Sequence, residues 1–290
     1  MTELLLALLN GLASGSVVFL VAAGLTLIFG VGGVLNFAHG GVFAVGAYVM
    51  YTMLNLLGAS WGSFLVSAGV AIVLCGICGA LIELFVVRRL YALPHEQILL
   101  ATYAILLVLD GLIEAIWGIQ ARSSTAPGGL RATIDVGGVR TSVFSIVIIV
   151  LALVVLGALH WWLRRTQFGH VAKAAAHDAE ASQALGISVP VVMTGVFVVG
   201  SMLAGLAGAV LAPNQALVPQ LGTMFIVQAF AAVVLGGLGS VSGAWIAALV
   251  LGIADSLWFT YLESVPQIGV FVVLAAILVV RPAGIMGVKA

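Results

Sequence analysis

The chain has 290 residues, of which 20 are charged (10 Lys and Arg, 10 Asp and Glu), and 63% are hydrophobic. Charged residues make up 7%, where soluble domains carry about 25%, and the mean hydropathy is +1.29. A water-soluble globule of this length cannot bury so much apolar surface. Zero net charge and a pI near 7.0 leave no basic field to attract nucleic acid. The composition predicts an integral membrane protein.

Helices and closed barrels are the structures that satisfy every backbone polar group in lipid. Barrel strands alternate apolar and polar residues over about ten positions. Here runs such as Val143 to Leu159 and Val265 to Val280 are continuously apolar. The prediction is an all-α polytopic membrane protein forming one transmembrane domain over residues 1–290.

A spanning helix takes about 20 residues, and nine windows qualify: 4–29, 35–57, 62–87, 97–118, 142–162, 190–212, 223–240, 243–262 and 265–281. The seventh is short and ends in Gly236-Gly237-Leu238-Gly239, so a broken or re-entrant helix is the alternative to a full span, leaving eight or nine spans. Nine spans would put Arg88, Arg89, Arg164, Arg165, Lys173, Arg281 and Lys289 on one side, seven of the ten basic residues. The positive-inside rule makes that side cytoplasmic, with the N-terminus outside and the C-terminus inside. The first charge is Glu3, with no positive n-region before it, so no cleaved signal peptide is expected.

In chain order, the second window opens after Gly30-Val31-Gly32-Gly33 with Asn36 and His39. Glycine clusters break membrane helices and free backbone groups for ligands, so Asn36 and His39 are candidates for the pathway or its gate. A hydrogen bond from His39 to a neighbouring helix carbonyl is the structural alternative. Cys75 and Cys78 lack the further ligands of a zinc site and read as packing residues. Glu83, one turn from Arg88 and Arg89, reads as a salt-bridge partner.

Asp110 and Glu114 on the fourth window share a helix face. Three roles fit them: lining the pathway, pairing with Arg122, or contacting a partner chain. Residues 119–141 form the outer loop, irregular through Ser123 to Gly129 and carrying Arg122, Arg131 and Arg140. Trp117, Trp161 and Trp162 sit near span ends as interfacial anchors. Gln228 and Asp255 on the seventh and eighth windows complete the candidate polar lining. Polar groups within spans are functional hypotheses because their burial in lipid is costly.

Residues 164–189 form the longest predicted cytoplasmic segment. His170 to Ala176 has high helix propensity, and Ala179 to Leu185 is followed by Gly186 in the position of a helix C′ residue. Two short surface helices are predicted, suited to docking a cytoplasmic partner.

Glu180-Ala181-Ser182-Gln183-Ala184-Leu185-Gly186 resembles the Glu-Ala-Ala-xxx-Gly coupling loop of ABC importer permeases, with Ser182 in place of the third small residue. Leu35-Asn36-Phe37-Ala38-His39-Gly40, Gly46-Ala47-Tyr48, Arg165-Thr166-Gln167-Phe168-Gly169 and Leu235 to Ala244 extend the likeness, which runs from Asn10-Gly11 to Arg281-Pro282-Ala283-Gly284. Together they resemble the shorter permease type of branched-chain amino acid ABC importers, close to the urea and short-chain amide permeases.

The resemblance implies leucine, isoleucine or valine as cargo, with urea or an amide as the alternative. It implies delivery by an extracytoplasmic binding protein docking on 119–141, Pro213 to Gly222 and Glu263 to Pro266. It further implies a second permease subunit, two ATPase subunits and a bacterial inner membrane. Arg165, Gly169, Glu180, Ala181, Leu185 and Gly186 would form the coupling element, with Gly169 and Gly186 reversing the chain.

The chain is not expected to be an enzyme, and no cofactor or metal is expected in it. Its lysines, Lys173 and Lys289, lie outside any Gly-x-x-x-x-Gly-Lys-Ser/Thr loop, so ATP and Mg²⁺ would act on partner ATPases. Two other readings remain: a proton-coupled carrier using Asp110, Glu114 or Asp255, and an intramembrane serine protease, whose Gly-x-Ser-Gly motif Gly239 to Gly243 misses.

Overall fold

In the computed structural model, residues 2–262, 268–281 and 284–286 are described. Long apolar runs satisfy their backbone bonds internally, and the nine predicted windows appear among the described residues as nine apolar helices. Seven have 20 residues or more: α1 (Thr2–Gly32), α2 (Ala38–Leu57), α3 (Trp61–Ile82), α5 (His95–Trp117), α6 (Val143–Arg165), α9 (Val189–Leu211) and α11 (Val241–Leu262). Helix α3 continues through a π-turn, Glu83–Val87, into α4 (Arg88–Leu90). Two are shorter, α10 (Leu221–Gly236) and α12 (Ile268–Val280). Lys289 and the segments 263–266 and 282–283 lie outside the described residues.

Helix α1 is the core, with 83% of its apolar window buried against 22% for α5 at the edge. It runs antiparallel to α11 in a glycine seam: a Cβ on Gly252 would stand 2.5 Å from the Gly15 Cα, and one on Gly11 2.6 Å from the Ile253 Cα. Such close backbone approach replaces the hydrophobic effect as the source of helix association in lipid. Gly11 and Gly15, four residues apart on one face of α1, are therefore packing residues.

Helices α2 and α10 begin inside the bundle. The Phe37 N–H donates to Thr102 Oγ1 (3.2 Å), seven residues past His95, about 10 Å along α5 at 1.5 Å per residue. At the other end, Thr223 Oγ1 donates to Asp110 Oδ2 (2.8 Å), seven residues before Trp117, so α10 also starts about 10 Å inside. A Cβ on Gly40 would lie 2.4 Å from the Gly222 carbonyl oxygen, so the two recessed helix starts meet. This explains the short seventh window: α10 has 16 residues because its approach, residues 212–220, has already descended as irregular chain.

Helix α10 closes on Gly237 at φ 96°. Its last carbonyls are met by the chain beyond α12: Ile285 N–H donates to Leu235 O (2.6 Å) and Met286 N–H to Gly236 O (3.2 Å), satisfying acceptors that a helix end leaves open.

A small antiparallel hairpin, β1 (Thr133–Val136) and β2 (Val139–Ser142), precedes α6. Its Gly137-Gly138 turn has φ of 62° and 84°, the positive values a type I′ turn requires. It is a strand pair that the all-α expectation for 119–141 lacked. Beyond the other end of α6, about 34 Å away by helix rise, lie α7 (Gln167–His177) and α8 (Ala179–Ala184).

Candidate functional site

The short helices form where the sequence supplies caps. Thr166, extended at φ −100°, ψ 151°, ends α6 and accepts from the Gly169 N–H at 3.1 Å. Asp178 Oδ1 accepts from the Ala181 N–H at 2.9 Å and caps α8. Gly186 at φ 85° closes it: Gly186 N–H donates to Gln183 O (2.9 Å) and Ile187 N–H to Ser182 O (3.0 Å). That double closure is a Schellman motif, the predicted role of Gly186. Gly169 differs from expectation. It lies in the first turn of α7, where a Cβ would stand 2.4 Å from the Trp162 carbonyl oxygen; Thr166 makes the break, and Gly169 admits the end of α6.

Ala172, Ala175 and Ser182 turn inward, while Arg165, Glu180, Ala181, Leu185 and Gly186 are exposed. Leu185, the C-cap of α8, is 83% exposed.

Both flanks of this hairpin are fastened to the bundle. Before it, His160 Nε2 meets Ser242 Oγ at 2.9 Å, and Nδ1 meets Leu156 O at 2.9 Å. A carbonyl only accepts, so Nδ1 carries a proton. After it, Glu83 is fully buried. Its carboxylate accepts from Arg88 Nε (3.0 Å) and Nη2 (2.9 Å), from Thr194 Oγ1 (2.8 Å) and from Tyr91 Oη (3.3 Å). Arg88 also donates to Thr194 Oγ1 and to Pro190 O in the first turn of α9. Burial, and then the neighbouring Glu83 charge, raises the Tyr91 pKa above the ordinary tyrosine range, so its hydroxyl stays a donor. The Glu83–Arg88 pair follows from sequence spacing; Thr194 and Tyr91 carry no such signal, and His160 and Ser242 lie 82 residues apart.

The interior candidates separate into three groups. His39 is fully buried, its Nε2 3.0 Å from Val21 O, which is the structural alternative. Gly24 makes room for it, since a Cβ there would stand 2.7 Å from the imidazole. Asn36 is buried beside it at the recessed start of α2. Asp110 is held at the first turn of α10 by Thr223, where the helix dipole is positive; Glu114, one turn on, is exposed. Arg122 meets neither carboxylate. Its guanidinium donates to Trp117 O at 2.6 Å, and its backbone bridges to Leu217. Gln228 and Asp255 line one cavity of about 20 Å³ with Ser14 and Gly252, room for about one water.

Seven helices long and apolar enough to cross a bilayer, packed with two shorter ones, define a multi-pass α-helical membrane protein. The family described as branched-chain amino acid transport system / permease component matches residues 7–281. The chain belongs to this family and is a transmembrane permease component of that transporter class.

It is 32% identical to the high-affinity branched-chain amino acid transport system permease protein LivH of Escherichia coli K12, covering 96% of this chain and 94% of the relative. The corresponding Pseudomonas aeruginosa protein, BraD, is 29% identical over 97% of this chain and 94% of its own length. LivM of Escherichia coli K12, also named a permease protein of that system, is 25% identical over 92% of this chain and 67% of its own.

Proposed function

We propose that this chain is a permease subunit of an ATP-driven importer for leucine, isoleucine and valine in a bacterial inner membrane, taking its cargo from an extracytoplasmic binding protein. The observation that carries the reading is the α7–α8 hairpin: two capped helices outside the apolar bundle, ending on an exposed leucine. An apolar side chain held out on a rigid element suits a partner's groove, and an inserted helix transmits rigid-body motion to the spans beside it. ATP and Mg²⁺ act on partner ATPase subunits bound there.

The basic residues at this end, Arg88, Arg89, Arg164, Arg165 and Lys173, favour the cytoplasmic side, with the N-terminus outside. The hairpin of 119–141 and the approach to α10 then face the binding protein. A second permease is supported by the edge of the bundle at α5. Leu100, Tyr103, Leu107, Leu112 and Glu114 are exposed along it, and a carboxylate facing lipid is too costly to stand uncovered. The names of LivH and LivM, two permease proteins of one system, support a different sister chain there. The pathway then runs between the two permeases, with Asp110 and Glu114 near its wall.

The test is reconstitution of the permeases, ATPases and binding protein in proteoliposomes. ATP-dependent uptake of radiolabelled leucine is expected. Uptake driven by a proton gradient without ATPase would overturn the reading, and uptake of urea in place of leucine would overturn the substrate.

A further inference from the structure

Resting on this transport reading, we infer that Glu83 is the joint through which movement of the α7–α8 hairpin reaches α3, and that Thr194 and Arg88 are its positioning residues. The hairpin connects to α9 through Gly186, Ile187 and Ser188. The first turn of α9 is the turn that Arg88 grips at Pro190 O, and Thr194 Oγ1, within 3.0 Å of that same carbonyl, reaches the Glu83 carboxylate at 2.8 Å with its single proton. Every oxygen of a fully buried carboxylate is thereby tied either to its own turn or to α9. Glu83 opens the π-turn of α3, an irregularity that recurs at functional positions in helices.

The hairpin also packs directly on the bundle through α7, where Phe168 fills the space a Cβ on Gly195 of α9 would need, whereas a gap opens beside α8. A cavity of about 300 Å³ lies between the hairpin (Ala175, Ala179, Gln183) and the end of α1 (Val31, Gly32). Tyr91 and Pro190 border the same space. At the joint, α9 is tied to the buried Glu83 carboxylate by Thr194 Oγ1 and to Arg88 by Pro190 O, so parting α9 from α3 breaks both ties and removes one donor from a buried carboxylate that keeps Arg88 and Tyr91.

From that joint the motion has a rigid lever. Helices α3 and α9 pack antiparallel with glycines at the contact: a Cβ on Gly79 would stand 2.0 Å from Ser201 Oγ, and one on Gly205 2.7 Å from Cys75 Cβ. The two helices therefore move as one body once their ends are locked.

The test uses the complete complex in proteoliposomes and reads leucine transported per ATP hydrolysed. Thr194→Val keeps the shape and removes the hydroxyl link. The ratio is expected to fall about three- to tenfold, the effect of one lost hydrogen bond, while ATP hydrolysis continues, and Thr194→Ser is expected to restore it. Equal falls in uptake and hydrolysis, leaving the ratio unchanged, would overturn the joint. Should T194V not assemble, Arg88→Lys, which keeps the charge and loses the two-pronged pairing, is read the same way. A wild-type complex that shows no ATP-dependent uptake refutes the transport reading itself, a separate outcome.

Discussion

Leu185 offers the sharpest separation of folding from coupling. At 83% exposed it contributes little to the stability of its own chain, and a surface substitution of this kind changes stability by no more than about 0.5 kcal/mol. In a partner's groove the same side chain would be buried. Leu185→Ala removes three carbons, and at about 0.8 kcal/mol for each buried CH₂ the loss in binding is about 2 kcal/mol. Because about 1.4 kcal/mol is a factor of ten, the Kd for the ATPase subunit should rise about thirtyfold. The assay is a titration of nucleotide-free ATPase subunits onto the permease in nanodiscs, with thermal unfolding of the permease measured in parallel. A large rise in Kd with an unchanged unfolding temperature is expected. An unchanged Kd would refute the assignment of the end of α8 as a docking element, and a lowered unfolding temperature would show that Leu185 supports the fold.

Gly186→Asp probes the same element from the backbone. A Cβ at Gly186 meets nothing within 4 Å and the strain is confined to its φ of 85°, costing about 1–2 kcal/mol, so membrane insertion should be normal while stimulation of ATP hydrolysis by the loaded binding protein is lost. Gly252→Val drives a branched side chain into Gly15, where even a Cβ stands 2.5 Å from the backbone; α1 and α11 should part at a cost of at least about 1–3 kcal/mol, seen as a lower unfolding temperature in detergent. Thr223→Val removes the donor to Asp110 Oδ2 and leaves a buried carboxylate short of a partner, a penalty of about 1–3 kcal/mol. Thermal unfolding should register it, Thr223→Ser should reverse it, and equal stability of T223V would show that water already satisfies Asp110.

The parts legible in the sequence are those governed by local rules. Apolar length alone marks the nine helices, and capping chemistry marks the hairpin, because Asp178 and Gly186 act on residues two to four positions away. Depth within the bundle is a different kind of quantity. The window beginning at residue 35 gives no sign that α2 starts about 10 Å inside, since its position is set by Thr102, 65 residues away. Gly169 was legible as a glycine but not as a contact: turn chemistry and close packing leave the same letter in the sequence, and only the Trp162 carbonyl beside it distinguishes them.

The same reasoning decides what the buried polar residues mean. Cost in lipid marks His39, Asp110 and Glu83 equally, yet each finds a different answer. His39 meets a carbonyl across the cleft left by Gly24, Asp110 meets a hydroxyl and the positive end of α10, and Glu83 meets a guanidinium. His39 bonds a backbone carbonyl of the neighbouring core helix α1. Glu83 and Asp110 are tied instead to helices that begin immediately beyond irregular chain, α9 after the hairpin and α10 after residues 212–220. The tie at Glu83 is the joint proposed above, and the tie at Asp110 fixes the recessed start of α10 to α5.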